Sequence, residues 1–307
     1  MHGVLLAAGR GERMEPLSSI VAKPALEVLG RPLLASAASN LLRAGVTEIV
    51  VNLHRHPEQV VAAARSVAAL AAVFSWEPEL LGSLGGVAGA RRLLEAGDLL
   101  VGNADTWADV DLAPVVEARE RDAIVLGLLS HPDPQRWSSV VVDGDGTVVR
   151  ILPPGADGGP DRLLFTGFQL LGRDVVEALL PGRGEMAALW GSALARGRLR
   201  GVAVEGRWRE AGTPASYLRL VVESLGGGSW VHPSAAVGDR VQLERTAVGA
   251  GCRVAGRCSL TGCVLTAGAT VGPDAHLVDC VVAGPVAVAG EALRDTLVVP
   301  GMHAPLR

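Results

Sequence analysis

The sequence of 307 residues contains almost no lysine: of its 28 lysines and arginines, only Lys23 is a lysine. Arginine presents a planar fork of donors, whereas lysine is a compact point charge on a flexible stem that suits contact with one phosphate oxygen. In a chain so biased toward arginine, we expect the single ammonium group to have a specific task.

Other absences exclude whole classes of protein. The formal net charge is −4 and no basic run is present, which argues against a nucleic-acid partner. No apolar stretch reaches the roughly 20 residues that span a membrane. The N-terminus has neither a basic region nor a cleavage site of the kind that directs secretion. We therefore expect a cytoplasmic protein that binds neither nucleic acid nor membranes.

Cysteine is scarce and confined to the last quarter of the chain. None of the four cysteines belongs to a CxxC pair, and no histidine cluster accompanies them, so neither a zinc site nor disulfides are expected. Their positions within a repeat favour a structural role. The four residues are Cys252, Cys258, Cys263 and Cys280.

The first two thirds of the chain alternate between short apolar runs and helical patterns. This alternation predicts an α/β fold with a Rossmann-like, mostly parallel sheet covered on both faces, whose ligands bind at the carboxyl ends of the strands. Residues 9–13 and 103–105 are then expected on one rim. The predicted strands are 3–8, 46–53, 98–103 and 123–129. The predicted helices are 32–44, 57–70, 84–96 and 112–121.

After Leu225 the helical pattern ends, and GGGS at 226–229 is typical of a short linker. Four similar units follow at offsets of 17, 17 and 16 residues, with aliphatic residues recurring every five or six positions. This period predicts a hexapeptide-repeat left-handed β-helix. The sequence therefore predicts two domains, 1–225 and 226–307. Residues predicted to stack in one column of the β-helix are Thr246, Cys263, Cys280 and Thr296.

The segment that contains Lys23 carries a composite motif. Gly9 and Gly11 follow the first predicted strand, but Met14 stands where a dinucleotide fingerprint has its third glycine, and no GK[ST] follows to complete a Walker A loop. What remains is GxGxRMxPLS followed by KP, which includes Arg13 and Lys23.

This motif resembles the signature LAAGxGxRMxPLTxxxxKP of the sugar-1-phosphate nucleotidylyltransferases, from which it departs only by a serine at Ser18. The resemblance covers most of residues 3–222. A catalytic domain followed by a hexapeptide tail is also the layout of mannose-1-phosphate guanylyltransferases and related enzymes in this family. We call residues 5–24 the signature segment.

The resemblance implies a reaction and a set of residues for it. A sugar phosphate oxygen attacks the α-phosphorus of a nucleoside triphosphate, and pyrophosphate leaves, with the protein positioning the groups and neutralising charge. Arg13 would hold the pyrophosphate, and Lys23 would contact phosphate during transfer. The residues implied for nucleotide binding are Leu6, Ala8, Gly9, Gly11, Gly82, Gly85 and Asn103. For the glycines of residues 81–86, a plain turn before a helix remains an alternative.

The resemblance also implies Mg²⁺, which prefers oxygen ligands and is commonly held by one or two carboxylates together with phosphates and water. Asp105 matches the family's first metal-binding aspartate. The second lies in the family motif WxDxGT, where this chain has Glu210. Because glutamate is longer by one methylene, its carboxylate moves by about 1 Å, and a shift of that size can change rates by roughly 100-fold.

The sugar phosphate site departs further from the family. Many relatives use a Glu-Lys-Pro segment, which this chain lacks. Residues 165–167, Phe-Thr-Gly, resemble the FSG segment of N-acetylmuramate-1-phosphate uridylyltransferases, which assigns Thr166 and Gly167 to the sugar phosphate.

Several functions stay open at this point. The leading hypothesis is an enzyme that joins GTP and mannose-1-phosphate, and a UTP- or dTTP-dependent enzyme, including the N-acetylmuramate type, is the close alternative. A regulatory subunit that binds nucleotide sugars without turnover is a second class. A hexapeptide acyltransferase would leave the signature segment unexplained. The β-helix is expected to assemble a homo-oligomer, because stacked coils present flat repeating faces and open ends.

Overall fold

The computed structural model describes residues 1–157, 159, 161–284 and 286–306. Its helices are α1 Leu33–Arg43, α2 Pro57–Arg65, α3 Gly82–Arg91, α4 Ala113–Glu117, α5 Arg173–Glu177, α6 Met186–Ala195 and α7 Pro214–Ser224. Short 3₁₀ turns cover Glu12–Met14, Leu17–Ser19, Lys23–Ala25 and Pro134–Arg136.

The strands divide into longer ones in the first two thirds of the chain and very short ones after α7. The first set is β1 His2–Leu6, β2 Glu27–Val28, β3 Arg31–Pro32, β4 Ile49–Leu53, β5 Ala72–Trp76, β6 Leu99–Asn103, β7 Trp107–Val110, β8 Ile124–Leu129, β9 Ser139–Val142, β10 Val148–Leu152, β11 Arg162–Leu171, β12 Leu199–Ala203 and β13 Gly206–Arg209. The second set is β14 Trp230–Val231, β15 Ala236–Val237, β16 Gln242–Glu244, β17 Ala247–Val248, β18 Arg253–Val254, β19 Ser259–Thr261, β20 Val264–Leu265, β21 Thr270–Val271, β22 His276–Val278, β23 Val281–Val282, β24 Ala287–Val288, β25 Ala292–Arg294, β26 Thr296–Val299 and β27 Met302–Pro305.

Spatial contacts group the chain into two compact units. The first comprises Met1–Gly9 and Leu34–Trp208, and the second comprises Arg10–Leu33 and the chain from Arg209 onward. This grouping places most of the signature segment in the same unit as the C-terminal strands. The domain boundary predicted between residues 225 and 226 follows the change in sequence pattern instead, and it stays a prediction.

The first unit is built on one large mixed sheet. Its strands follow the order β10-β9-β11-β6-β1-β4-β5, and β8 extends it by pairing with β11 and β12. β1 pairs in parallel with β4 and β6, β4 with β5, and β8 with β12, whereas β11 runs antiparallel to β6 and β8. β9 also pairs antiparallel with β10 and β11. The predicted α/β fold is therefore confirmed, with a mixed sheet whose parallel part is formed by β1, β4, β5 and β6 and by the pair β8–β12.

The central strands bury nearly all their side chains, which explains their continuous apolar runs. Every residue of β4 and β8 is buried, as are the inner residues of β1. The register pairs Leu6 at the end of β1 with Asn103 at the end of β6. The turns that follow both strands thus leave the sheet at one edge, as the sequence predicted.

Several predicted elements have different limits in the structure. The first strand ends at Leu6, and the helix predicted at 57–70 ends at Arg65. The helix predicted at 84–96 begins at Gly82 and ends at Arg91. In its first turn the backbone N–H groups of Leu84 and Gly85, which have no partner within the helix, donate to the Gly184 carbonyl. Only five residues of the helix predicted at 112–121 are helical.

The C-terminal strands of the second unit stack in three parallel sheets. One contains β14, β17, β20, β23 and β26, with β27 added antiparallel; the others are β15-β18-β21-β24 and β16-β19-β22-β25. The register aligns Leu243, Leu260, Leu277 and Leu293, the residues that begin the four repeat units. Three sheets of short parallel strands with this period match the predicted left-handed β-helix.

All four cysteines are free and buried in the core of this β-helix. Thr246 and Cys263 belong to the predicted column and are bonded to each other, since the Cys263 N–H donates to the Thr246 hydroxyl oxygen at 3.2 Å. Burial raises the pKa of the Cys252 thiol, which keeps it in the unreactive protonated form. The structural interpretation of the cysteines agrees with these contacts.

None of the helices in the described residues has the length and apolar character that a membrane crossing requires.

The β-helix core provides a test of the repeat. Leu260 has no exposed surface, so Leu260→Ala should lower the free energy of unfolding by about 2–5 kcal/mol in urea titrations, because it removes buried methyl groups and leaves a cavity. Val237→Ala, at a side chain that is 40% exposed, is the control and should change it by at most about 0.5 kcal/mol. Equal effects of the two substitutions would contradict the buried register.

Candidate active site

The first unit holds the turn after β1 in place through Asn52, at the end of β4. The Asn52 side-chain oxygen accepts hydrogen bonds from the backbone N–H groups of Ala7 at 2.6 Å and Ala8 at 3.3 Å. Its amide group donates to Glu77 at 2.7 Å. Both Asn52 and Glu77 are almost completely buried. The backbone at Ala7 and Ala8 is therefore held by a hydrogen-bonded pair in the protein interior.

Glu77 extends this network to the glycine-rich segment, residues 81–86. Its second carboxylate oxygen accepts the Leu81 N–H at 3.0 Å, just before α3 begins at Gly82. The Ser83 hydroxyl donates to Glu185 at 2.7 Å and accepts the Met186 N–H. One chain of hydrogen bonds therefore connects the turn after β1 with the start of α3.

Gly82 and Gly85 have a structural reason to be glycines. A Cβ at Gly82, where φ is 76°, would lie about 2.5 Å from the carbonyl oxygen of Gly184, and one at Gly85 would lie equally close to that of Gly182. Gly9 differs, because apart from its chain neighbours no described atom lies within 4 Å of its Cβ position. Internal packing thus explains Gly82 and Gly85 but not Gly9.

Asn103 ends β6 and Asp105 follows it at the same edge of the sheet. Both side chains are half-buried, and Ala104 between them is fully buried and donates its N–H to the Leu6 carbonyl at 3.1 Å. This bond ties the segment with Asp105 to the end of β1. The buried methyl group of Ala104 is accommodated there without exposed surface.

Thr166 and Gly167 lie in an irregular part of β11. The Thr166 hydroxyl donates to the Gly127 carbonyl at 2.7 Å, and its side chain is fully buried. Gly167 adopts a φ of 91°, and its Cβ position lies 3.3 Å from the Asn103 amide nitrogen. These contacts give Thr166 a structural role, and contact of either residue with a sugar phosphate stays a prediction.

Trp208 connects this part of β11 to an aromatic cluster. Its indole N–H donates to the Thr166 carbonyl at 3.2 Å, and its ring lies edge-on to Trp137 with 4.9 Å between ring centres. His131 packs edge-on against both rings. The tryptophan that opens the WREAGT segment therefore supports the Thr166–Gly167 backbone.

In the second unit, the signature segment folds as a series of tight turns. Gly11 has a φ of 64°, and its Cβ position lies 3.2 Å from Cβ of Ser18, so the loop closes where only glycine fits easily. Met14 and Leu17 are buried, which explains the apolar positions of the motif. Lys23 is half-buried and begins the 3₁₀ turn Lys23–Ala25.

Arg13 and Glu210 bind each other in the second unit. The guanidinium of Arg13 lies 3.0 Å from the Glu210 carboxylate, and the two side chains are 69% and 20% exposed. Glu210 folds over Gly212, where a Cβ would collide with its carboxylate. Thr213 then caps α7, since its side-chain oxygen accepts the Ser216 N–H.

The predicted site residues thus fall into two groups. The first unit brings together those after β1, at the start of α3, after β6 and in β11: Leu6, Ala8, Gly9, Gly82, Gly85, Asn103, Asp105, Thr166 and Gly167. The second unit holds Gly11, Arg13, Lys23 and Glu210. Sequence analysis missed Asn52 and Glu77, although each is a polar residue at the end of an apolar run, at neighbouring strand ends.

The predicted metal ligands, Asp105 and Glu210, would bind a metal ion through carboxylate oxygens. Within the described residues, no three His, Cys, Asp or Glu side chains form a group that would hold a metal by themselves. Asp105 and Glu210 offer hard carboxylate oxygens, which suit Mg²⁺ when substrate phosphates and water complete its coordination.

Comparison with known proteins identifies the family. The model of the nucleotidyl transferase family matches residues 2–223, which include both the sheet and the signature segment. The chain belongs to the nucleotidyl transferase family. It is a transferase enzyme whose homologues are sugar-1-phosphate nucleotidyltransferases.

Two relatives show different specificities. N-acetylmuramate alpha-1-phosphate uridylyltransferase from Neisseria meningitidis is 30% identical over 240 residues, which cover 75% of this chain and all of that protein. Mannose-1-phosphate guanylyltransferase from Mycobacterium tuberculosis is 27% identical over 290 residues, covering 90% of this chain and 78% of that protein.

Solved structures confirm the fold of the enzyme. HddC from Yersinia pseudotuberculosis superposes with a TM-score of 0.62 at 22% identity, covering 73% of this chain and 99% of that chain.

The Asn52–Glu77 bond permits a test by exchange of the two functional groups. Asn52→Asp should destabilise the enzyme by about 3–5 kcal/mol at pH 7, because it places two carboxylates face to face in a buried position. Glu77→Gln should cost about 1–3 kcal/mol through a lost acceptor. The double variant can restore every hydrogen bond, with residue 77 now donating to residue 52 and the backbone N–H groups still donating to side-chain oxygens. Its unfolding free energy in urea should therefore exceed that of Asn52→Asp. A double variant as unstable as the sum of the single changes would contradict this network.

From the Arg13–Glu210 pair we predict how shortening the glutamate changes stability and activity. Glu210→Asp shortens the side chain and weakens the pair, but stability should change by less than about 1 kcal/mol because Arg13 is exposed. We expect equal or higher pyrophosphate release across a Mg²⁺ titration. Glu223→Asp alters another exposed pair, with Arg209 at 3.3 Å, and serves as the control. Complete loss of activity only in Glu210→Asp would show that the longer side chain is integral to the site.

Proposed function

We propose that this nucleotidyltransferase transfers a nucleotidyl group from a nucleoside triphosphate to a sugar-1-phosphate, releasing pyrophosphate and an NDP-sugar. The observation that carries the proposal is the match of the nucleotidyl transferase family over residues 2–223, which include the whole signature segment. Within the first unit, Asn52 holds the start of that segment at Ala7 and Ala8. The sugar phosphate is already an anion, so the reaction needs no general base.

Charge neutralisation is the main work that the protein residues would do. In this mechanism the ammonium of Lys23 contacts the transferring phosphoryl group, and the backbone from Ala8 to Gly11 lies against the triphosphate. The open surface at Gly9 supports such a close approach, because internal packing does not require glycine there.

Arg13 would act by exchanging partners. In the structure its guanidinium binds Glu210, and in the proposed complex it binds the leaving pyrophosphate instead, which releases the carboxylate. Arginine suits this step because its fork can bind two phosphate oxygens at once.

Mg²⁺ is the proposed cofactor, with Asp105 and Glu210 as its protein ligands. When bound, such an ion neutralises charge on the phosphate oxygens and orients them for in-line attack. The assignment rests on the family motifs and on the oxygen chemistry of both side chains.

GTP and mannose-1-phosphate are the proposed substrates. This choice is supported by the larger part of the chain that aligns with the guanylyltransferase, 90%, compared with 75% for the uridylyltransferase. UTP with N-acetylmuramate-1-phosphate is the second candidate, favoured by the Phe-Thr-Gly segment at 165–167 and by the 30% identity to that relative.

The β-helix is the proposed site of homo-oligomer assembly. Its first coil carries exposed aliphatic residues on short strands, with Val231 38% and Val237 40% exposed. At its other end, β27 pairs antiparallel with β26. The uncovered first coil is the surface that another copy would cover.

A substrate panel tests the proposed reaction. The purified protein is incubated with Mg²⁺, each NTP and a set of sugar-1-phosphates, and pyrophosphate release is measured. We expect the highest kcat/KM for GTP with mannose-1-phosphate. A preference for UTP with N-acetylmuramate-1-phosphate would select the second candidate. If no pair of NTP and sugar-1-phosphate released pyrophosphate while an NDP-sugar bound tightly, the proposed enzymatic activity would be refuted. That result would indicate a regulatory subunit instead.

Lys23 provides the sharpest residue-level prediction. Lys23→Ala should reduce turnover by at least about 100-fold, as expected for a lost charge at the reacting phosphate, while the melting temperature stays nearly unchanged. Arg31→Ala, which removes an exposed cation from the same unit, should leave both values unchanged. A large drop in melting temperature for Lys23→Ala would mean that the lysine is structural.

A further inference from the structure

The second unit contains a cavity of about 90 Å³ that the proposed reaction does not use. This is several times the roughly 10–15 Å³ that one water molecule needs. Its walls come from the end of the signature segment and the hairpin after it, from α7, and from the first coils of the β-helix. Residues representing these walls are Ala25, Leu26, Tyr217, Trp230, Ala247 and Leu265.

Glu27 is the one acidic residue among the lining residues of this cavity, most of which are apolar. Within the described part of the chain, its carboxylate has no hydrogen-bond donor. The nearby Tyr217 hydroxyl is already used, because it donates to the backbone carbonyl of Glu27 at 2.7 Å. Burial raises the pKa of Glu27, and the charge of His232 partly offsets this effect. A carboxylate in such surroundings favours a ligand that brings its own positive charge.

Trp230 supplies an aromatic wall beside this carboxylate. Its ring packs so closely on the backbone of Gly30 that a Cβ there would lie 3.0 Å from two ring carbons. His232 lies edge-on to the same ring, with 5.8 Å between ring centres. Aromatic rings attract ammonium groups, and the attraction increases when both partners are shielded from water.

We propose that this cavity binds a small alkylammonium group. The alkyl part contacts the aliphatic wall, and the ammonium donates to Glu27 and lies near the Trp230 ring. The ligand also contacts Ala25, the last residue of the 3₁₀ turn that begins at Lys23. Occupancy of the cavity therefore stabilises the turn that carries the single lysine.

Calorimetric titration of the full-length protein with n-butylamine at pH 7 tests this site, with n-butanol as the uncharged probe of the same shape. We expect saturable binding of the amine and at least about tenfold weaker binding of the alcohol, since hydrogen bonds between charged groups are stronger than those that involve a neutral hydroxyl. Equal affinities would overturn the assignment of a cationic ligand.

Glu27→Gln assigns the binding to this cavity, because it preserves the size of the side chain and removes its charge. Affinity for butylamine should fall about tenfold or more, while Glu244→Gln, at an exposed position of the same unit, should bind like the unchanged protein. Unchanged affinity in Glu27→Gln, with the fold intact by circular dichroism, would overturn the proposal.

The ammonium or an equivalent cation can come from a free amine or from a basic side chain of a second copy of this chain. Sedimentation at several protein concentrations separates these sources. A free-amine site leaves the oligomeric state unchanged when butylamine is added, whereas a site filled by a second copy shows butylamine-dependent dissociation. Absence of butylamine binding at every protein concentration refutes both.

Discussion

The buried amide of Asn52 is the interaction on which the turn after β1 depends. Strand β1 ends at Leu6, so the next N–H groups lose their ladder partners, and Asn52 accepts those of Ala7 and Ala8. Because Glu77 accepts from Asn52 and from Leu81, the same chain of bonds sets where α3 begins. Asn52 and Glu77 are almost completely buried, so the loss of either partner would leave a buried donor or acceptor unsatisfied. The conformation of the signature segment therefore starts from residues outside it.

Charge balance is the second constraint, and it operates within the second unit. Arg13 and Glu210 neutralise each other in the structure. An ion pair whose arginine is exposed contributes little to stability. The exchange of partners proposed for Arg13 and Glu210 would therefore cost little stability. Glutamate, longer than the aspartate of relatives, reaches the arginine while folded over Gly212. This arrangement connects the unusual residue of the WREAGT segment to the signature segment.

Much of the architecture was predictable because it repeats or follows a fixed period. The offsets of 17 and 16 residues identified the β-helix, and the alignment of Leu243 with Leu260, Leu277 and Leu293 confirms the predicted register. Contacts between distant residues were not predictable in this way. Asn52 and Glu77 are 25 residues apart, and the Trp208 indole reaches Thr166 over 42 residues. For Gly82 and Gly85 the sequence predicted nucleotide contacts or a plain turn, and their close packing on residues 182–184 follows only from the tertiary fold.

The central claim is transfer of a nucleotidyl group to a sugar-1-phosphate, and following the label of a radioactive triphosphate tests it most directly. With the preferred NTP labelled at the α-phosphorus, the account predicts that label appears in an NDP-sugar only when the sugar-1-phosphate is present. With the γ-phosphorus labelled, all released label should appear in pyrophosphate. Release of γ-label as inorganic phosphate, or α-label that never enters a sugar nucleotide, would contradict the account.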